Sequence, residues 1–465
     1  MYELACKHLY YPLLDRTKRA PYREVFAQAL RSERLGRSEL ATLQVEKLRA
    51  ILAHAEGVPF HAQRFARAGL RAADVKTLDD LRRLPILTKA DVFDAGTELV
   101  SQTCDGRVFE GRTSGSTGHA MRFKQDSGQV AWVDASQARG RRWWGVDRGD
   151  RMVVLWSRPA ERSVTIELRI WVKNALRNVT HFDAFKDFDE AKALEIAKTI
   201  ERRHPLMLYG YGSSLGRLAQ LLDASGVSLS EAARPRVVEY SADHMYPHER
   251  ALAEKVFGAE VITAYGASEC GAVAQQCRRG NLHVSIDHVV VETLKADGTA
   301  AAPDENGRIL LTTLNNKAMP LIRYEVGDVG RLLSEPCACG LPLPCMHLET
   351  GKSADVIDTS TRRGVNAHVF DWINIALMKE DVRGIRQFLV GQFSEDAFEL
   401  CVVRERPFDP RSTALFIAKM RDYLGDQIHV STTFVDELPL SKTGKRRYFE
   451  KRFGTDRAVS ATVAR

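Results

Sequence analysis

The chain has 465 residues, 67 basic and 60 acidic for a formal net charge of +7, with 44% hydrophobic and 27% charged residues. That length suggests about two or three domains around a sizeable core. The mild positive balance, with no block of like charges, argues against nucleic acid and leaves room for a polyanionic small molecule such as a nucleotide. No apolar run approaches the roughly 18 residues needed to span a bilayer, and the start MYELACKHLYYPLLDRTKR, with Glu3 and no small-residue cleavage site, makes a poor signal peptide. A cytoplasmic protein is expected, its eight cysteines serving as thiols or metal ligands rather than disulfides.

Residues 22–84 carry helical spacing: Val25, Ala29 and Leu30 recur on one face, as do Leu43, Leu48, Ile51 and Leu52. A helical start over 1–85 is expected. From about 86 to 290, helical segments alternate with short apolar runs, namely MVVLW (152–156), LMLYG (206–210), VVEYS (237–241) and AEVITAYG (259–266). Each ends in a turn residue, the rhythm of βαβ units around a largely parallel sheet. Between 284 and 334 the pattern turns strand-rich, with VSIDHVVVETL, GRILLTTL and DVGRLL separated by the turns ADGT and DENG. After the turn-rich ETGKSAD a smaller α/β pattern restarts: a helix near 367–379, strands near 385–391 and 397–403, and a helix near 411–424. The predicted boundary lies at 350–356, giving a domain of residues 1–352, with a strand-rich subdomain over about 275–350, and a small C-terminal domain of residues 353–465.

One stretch stands apart. GRTSGSTGHAMRF (111–123) has almost no apolar anchor, and its centre is only glycine and small hydroxyls. Such a sequence is either a linker or a phosphate cradle, in which glycines let backbone N–H groups converge while hydroxyls add donors. The flanks RVFEGRTS and MRFKQD read as strand edges, and a loop held at both ends suits an anion better than a tether. Its spacing is not that of a P-loop.

Three companions follow: YGASECG (265–271), RYEVGDVG (323–330) and LPLSKTGKRRYFEKR (438–452). In this order, together with GNLHVSIDHVVVE, GRILLTTLNNKAMPLIRYEVGD, CACG and RGVN, they resemble the adenylate-forming superfamily of acyl-CoA ligases, aryl ligases and adenylation domains. Within it the chain looks most like the phenylacetate–CoA ligase branch, over roughly residues 80 to 450. The resemblance implies an α/β fold: a large N-terminal domain of mixed sheets and helices with a β-rich subdomain, and a small mobile α+β lid. It also implies the reaction. A carboxylate attacks the α-phosphorus of ATP, pyrophosphate leaves, and a thiol displaces AMP from the acyl-adenylate.

By the same resemblance, Thr113, Ser114, Gly115, Ser116, Thr117 and Gly118 hold the β- and γ-phosphates, with His119 where a basic residue is usual. Glu269 carries Mg²⁺, which wants oxygen ligands. Tyr265, Gly266, Ala267 and Ser268 flank the adenine and the acyl pocket, and Asp328 accepts the ribose hydroxyls. Lys445, among the basic residues Lys442, Arg446 and Arg447, neutralises charge as the carboxylate attacks. Lys352 stands where Arg is usual and Ala354 at the expected hinge position, commonly Asp. Tyr209, Tyr211, Ser213 and Trp156 are expected to line the acyl pocket, favouring an aryl or arylalkyl acid, and RGVNAH (363–368) to contact pantetheine.

Cys277, His283, Cys337 and Cys339 read as C-x₅-H followed by C-x-C, a donor set suited to structural zinc. Cys270 and Cys345 are substitutes; Cys6, Cys104 and Cys401 read as ordinary buried thiols. The expected cofactors are ATP/AMP, Mg²⁺, zinc and coenzyme A or a phosphopantetheine. The expected partners are a small-molecule carboxylic acid and CoA or an acyl-carrier protein, with an amine acceptor, a homodimer and a non-catalytic nucleotide-binding homologue left open.

Overall fold

In a computed structural model the described residues are 2–18, 21–104, 106–112, 121–156, 164–184, 189–243, 245, 247–295, 297–350, 356–362, 384–404, 408–436, 438 and 448–453, with scattered positions between 365 and 382. The chain starts with helices, among them Tyr22–Ser32, Arg37–Ala55 and Pro59–Ala68. Val25 and Ala29 are buried as their spacing predicts, and Leu48, Ile51 and Leu52 pack with Val290 of a later strand and with Leu314.

The first two strands, β1 (Val108–Arg112) and β2 (Arg122–Asp126), form an antiparallel hairpin in which Arg112 faces Arg122. The flanks of the Gly/Ser/Thr stretch are therefore paired strands, as their sequence suggested. Asp126 then caps the helix Ser127–Arg142 by accepting the Gln129 N–H at 2.8 Å, the usual service of an N-cap carboxylate.

The four apolar runs become parallel strands: β3 (Met152–Trp156), β5 (Met207–Tyr211), β6 (Val237–Ser241) and the first part of β7 (Glu260–Ala267), joined by β4 (Val179–Asp183). Val153, Val154 and Leu155 are buried, because helices cover both faces of a parallel sheet and leave no room for polar alternation. The strand-rich stretch contributes β8 (Gly271–Gln276), β9 (Leu282–Val284), β10 (Val289–Leu294), β11 (Gly307–Thr313), β12 (Tyr324–Leu332) and β13 (Cys345–Thr350). These do not form a sheet of their own. They extend the parallel strands antiparallel to one another, giving 11 strands in the order β10-β11-β12-β13-β9-β8-β7-β6-β5-β3-β4. Their register places Tyr265, Val273, Ile309 and Tyr324 in one core.

Farther along, the short pair β14 (Val356–Ile357) and β15 (Val365–Asn366) precedes β16 (Ile385–Gln392), β17 (Ala397–Arg404), the helix Arg411–Leu424, β18 (His429–Val435) and β19 (Phe449–Lys451). The last four strands make a separate sheet ordered β18-β17-β16-β19, with a core that includes Phe388, Leu400, Phe416 and Phe449. The expected helix near 367–379 falls on a stretch that is only partly described.

Candidate active site

The strand order sets where a ligand can sit. β3 is followed in sequence by β4 on one side and β5 on the other. The crevice beyond the carboxyl ends of β3 and β5 is thus the topological switch point at which open α/β sheets bind ligands. Trp156 ends β3 and Tyr211 ends β5, and their rings stack with centroids 4.0 Å apart at 14°. Tyr209 stacks on the same Trp156 ring at 5.2 Å and 10°. Behind Tyr209 lies the Arg141 guanidinium, 4.9 Å from the ring centroid, which pairs with buried Glu239 at 2.8 Å. Burial pushes the Tyr209 phenol up to about 12, so it stays a neutral ring at neutral pH. The three aromatic residues predicted for the pocket come together as one slab. Ser213 has a different setting: it sits at the start of the helix Gly212–Ala224, where Asp243 accepts its hydroxyl and the N–H groups of Gly212 and Ser213. That carboxylate follows Ala242, a non-glycine residue at φ 76°, a backbone strain that tends to gather at ligand sites.

The turn between β7 and β8 carries Ser268 and Glu269, closed by the Cys270 N–H to the Ala267 carbonyl at 3.0 Å. Glu269 is only 5% exposed, and its Oε1 accepts the Tyr324 hydroxyl at 2.9 Å. A matching pair lies beside it, in which the Tyr265 hydroxyl donates to Asp328 Oδ2 at 3.0 Å. Burial, and then the facing carboxylate, lifts both phenols well above their ordinary value. Both tyrosines therefore stay protonated and donate to the two carboxyl groups. Tyr324 is aimed by Arg323, a non-glycine residue at φ 55°. Arg323 is held by Glu292 at 3.1 Å and by the carbonyl of Arg82 at 3.1 Å. After the turn, Gly271 adopts φ 88°, and a Cβ there would lie 2.3 Å from Val133 and 2.9 Å from His288 Nε2. The fold therefore requires glycine at this position.

Met121, the first described residue after the hairpin loop, contacts the Tyr324 hydroxyl through its sulfur at 3.9 Å. Met121 thereby lies against the tyrosine that donates to Glu269. The loop residues Thr113, Ser114, Gly115, Ser116, Thr117, Gly118 and His119 themselves lie outside the described residues, as do Lys352, Ala354, Lys442, Lys445, Arg446, Arg447 and part of 363–368.

Away from this crevice, Cys277, His283, Cys337 and Cys339 bring one ligand atom each to within 4.8 Å of one another. His283 Nδ1 meets the Leu343 carbonyl at 2.8 Å, while Nε2 lies 3.2 Å from Cys339 Sγ. A ring that donates from Nδ1 keeps its Nε2 lone pair for a metal. Amide donors also point at the sulfurs, from Asn281 to Cys337 at 3.2 Å and from Arg279 to Cys277 at 3.3 Å. Cys345 Sγ lies 3.7 Å from His283 Nε2, close enough to be an alternative ligand. Cys270 belongs to the Glu269 turn instead and is buried there. All eight cysteines are free thiols.

Sequence reasoning missed several contributors. Tyr324, Gln125, Gln129 and Asp243 reach the site only through long-range pairing, so local patterning carries no signal for them. Arg112 and Arg122 could have been found, since they bracket the Gly/Ser/Thr loop directly.

No protein-family model matches the chain. The fold is that of the adenylate-forming ligases: solved structures of 2-hydroxyisobutyryl-CoA ligase match with TM-scores of 0.59 and 0.55 at 17% and 16% identity, covering 89% and 90% of this chain and 90% and 91% of theirs. Sequence adds a second likeness. The chain is 26% identical over 447 residues to a phenylacetate-coenzyme A ligase of Thermus thermophilus, covering 89% of this chain and 97% of that protein. It is 28% identical over 358 residues to the phenylacetate-coenzyme A ligase of Escherichia coli, covering 70% and 74%. The chain thus shares its fold with these acyl-CoA ligases and is similar in sequence to phenylacetate-coenzyme A ligases.

Proposed function

We propose that this protein is an ATP-dependent acid–thiol ligase that activates a carboxylic acid as its acyl-adenylate, releases pyrophosphate, and transfers the acyl group to the thiol of CoA. The observation that carries the reading is convergence. The Tyr324–Glu269 pair and the Tyr265–Asp328 pair lie together in the sheet that also holds the Trp156 slab. Phosphoryl chemistry of this kind needs little covalent help from a protein, only fixed charge and alignment. Asp328, steadied by Tyr265, takes the ribose hydroxyls. The loop Thr113–Gly118 cradles the phosphates. Arg112 and Arg122 face each other on the hairpin, two basic residues next to the loop, which suits a polyphosphate. Glu269 would hold Mg²⁺, which would neutralise phosphate charge when bound. Lys445, carried on the small C-terminal domain, meets the attacking carboxylate, and the segment near 350–356 is the boundary about which that domain turns. The aromatic slab favours a flat aryl or arylalkyl acid by stacking.

The test is pyrophosphate release from ATP and Mg²⁺ with a panel of aryl, arylalkyl and fatty acids, with and without CoA. Release with one acid class, faster with CoA, is the expected result. An amide or carrier-bound product formed without CoA would move the acceptor assignment, and no release with any acid would overturn the reading.

The Cys/His cluster is proposed to be a structural zinc site, closed and remote from the chemistry. Metal analysis of the purified protein is expected to find about one zinc per chain, and Cys337→Ser to lose it together with several degrees of melting temperature. Parent protein without metal, folded and active, would remove zinc from the account.

A further inference from the structure

Two glutamines hold the turn that carries Glu269, one on each side. Gln125 Nε2 donates to the Ser268 carbonyl at 3.2 Å, and Gln129 Nε2 donates to the Cys270 carbonyl at 2.9 Å. These are the residues immediately before and after Glu269. Both glutamines come from one short stretch, the end of β2 and the first turn of the helix that follows it, which begins where the Gly/Ser/Thr hairpin closes. The stretch is itself fixed. Between the glutamines, Asp126 accepts the Gln129 N–H at 2.8 Å and, through Oδ2, the N–H groups of Lys317 at 2.6 Å and Ala318 at 3.2 Å. Gln129 is fully buried and Gln125 partly so.

Neither amide is needed to close the turn, which makes its own Cys270-to-Ala267 hydrogen bond. What they add is a link between two elements remote in sequence, the hairpin and the Glu269 turn. From this geometry we infer that Gln125 and Gln129 are positioning residues: they hold the Glu269 carboxylate in register with the β1–β2 hairpin, so that a divalent cation bound to Glu269 is presented to the phosphates of ATP. The inference rests on the ligase reading above. It concerns the magnesium–phosphate half of the site and leaves the thiol half alone. Groups that orient a metal ligand are worth about 10–100-fold in metal affinity or activity.

Gln125→Met and Gln129→Met remove the donors while keeping chain length. Gln125, being only partly buried, keeps the test open should the Gln129 variant not fold. ATP binding is measured by calorimetry across a magnesium series. In parallel, ATP–pyrophosphate exchange with phenylacetate, and transfer from synthetic phenylacetyl-adenylate to CoA, are followed. For Gln125→Met the half-saturating magnesium concentration and the KM for ATP are expected to rise about tenfold, with thioester formation from the adenylate and the melting temperature unchanged. The double variant is expected to shift further. Unchanged magnesium dependence in a folded Gln125→Met protein would overturn the inference, as would an equal loss in both half-reactions. Parent protein that neither binds MgATP nor exchanges pyrophosphate with any acid of the panel would instead overturn the ligase reading, so the two failures are told apart.

Discussion

Replacing Glu269 by glutamine is expected to slow acyl-adenylate formation by about 100-fold or more, the usual cost of removing one preorganised electrostatic contact from a charge-developing step. The substitution is close to isosteric, and its amide oxygen can still accept the Tyr324 hydroxyl that Glu269 now accepts at 2.9 Å. What it removes is the negative charge, and with it the attraction for a hard cation. The melting temperature should therefore stay near the parent's, while pyrophosphate release falls and added magnesium restores little. Thioester formation from a supplied acyl-adenylate should be spared, because that step no longer involves the β- and γ-phosphates. Adenylation at the parent rate would show that Glu269 is a buried structural carboxylate, steadied by Tyr324 for packing alone.

The second large effect concerns stability. Arg139 and Asp287 form an ion pair at 2.7 Å with each side chain only 1% exposed, and the Ser32 hydroxyl and the Ala29 carbonyl also accept from the guanidinium at 3.1 Å each. Removing one member of a fully buried pair strands the other charge in a medium that cannot solvate it. Asp287→Asn is accordingly expected to cost about 3–5 kcal/mol at neutral pH, read as a shifted denaturant midpoint. The pH dependence follows. Burial alone would raise the Asp287 pKa, but Arg139 and the Ser32 hydroxyl more than offset that and hold it below the ordinary 3.8. A carboxyl depressed on folding contributes stability that is present above its unfolded pKa and lost as pH falls through the folded one. The gap between parent and Asp287→Asn should thus be full at pH 7 and shrink as acid protonates Asp287. A gap that stays constant down to pH 3 would mean that the pair contributes through packing rather than charge.

This ion pair also supports the site. Asp287 neighbours His288, whose ring lines the back of the Gly271 position, and Trp132 stacks against that ring with centroids 6.5 Å apart. Lys47 reaches across to the Trp132 face at 3.5 Å and donates to Asn315 at 2.8 Å. Burial brings its ammonium down to about 7. The Glu269 turn therefore rests on a buried polar cluster.

Much of this was written locally. Short Val- and Leu-rich runs ending in turn residues can only be buried parallel strands when helices alternate with them, and MVVLW, LMLYG, VVEYS and AEVITAYG took that form. The strand-like flanks of the Gly/Ser/Thr stretch announced the hairpin. The cysteine and histidine spacing announced a cluster, and Cys277, His283, Cys337 and Cys339 do come together. Tertiary structure decided the rest. Whether the strand-rich stretch formed its own sheet or extended the parallel one depended on β7 changing partners partway along its length, from parallel β6 to antiparallel β8, a choice made by the packing of the whole core. The Ser213 hydroxyl went to Asp243, and the Glu269 carboxylate to Tyr324, 55 residues away. Gln125 found Ser268 across 143 residues. Residue type and spacing determine which side chains can do chemistry; only chain closure determines which of them meet, because hydrogen bonds and charge pairs act over a few ångströms and the sequence does not state distance.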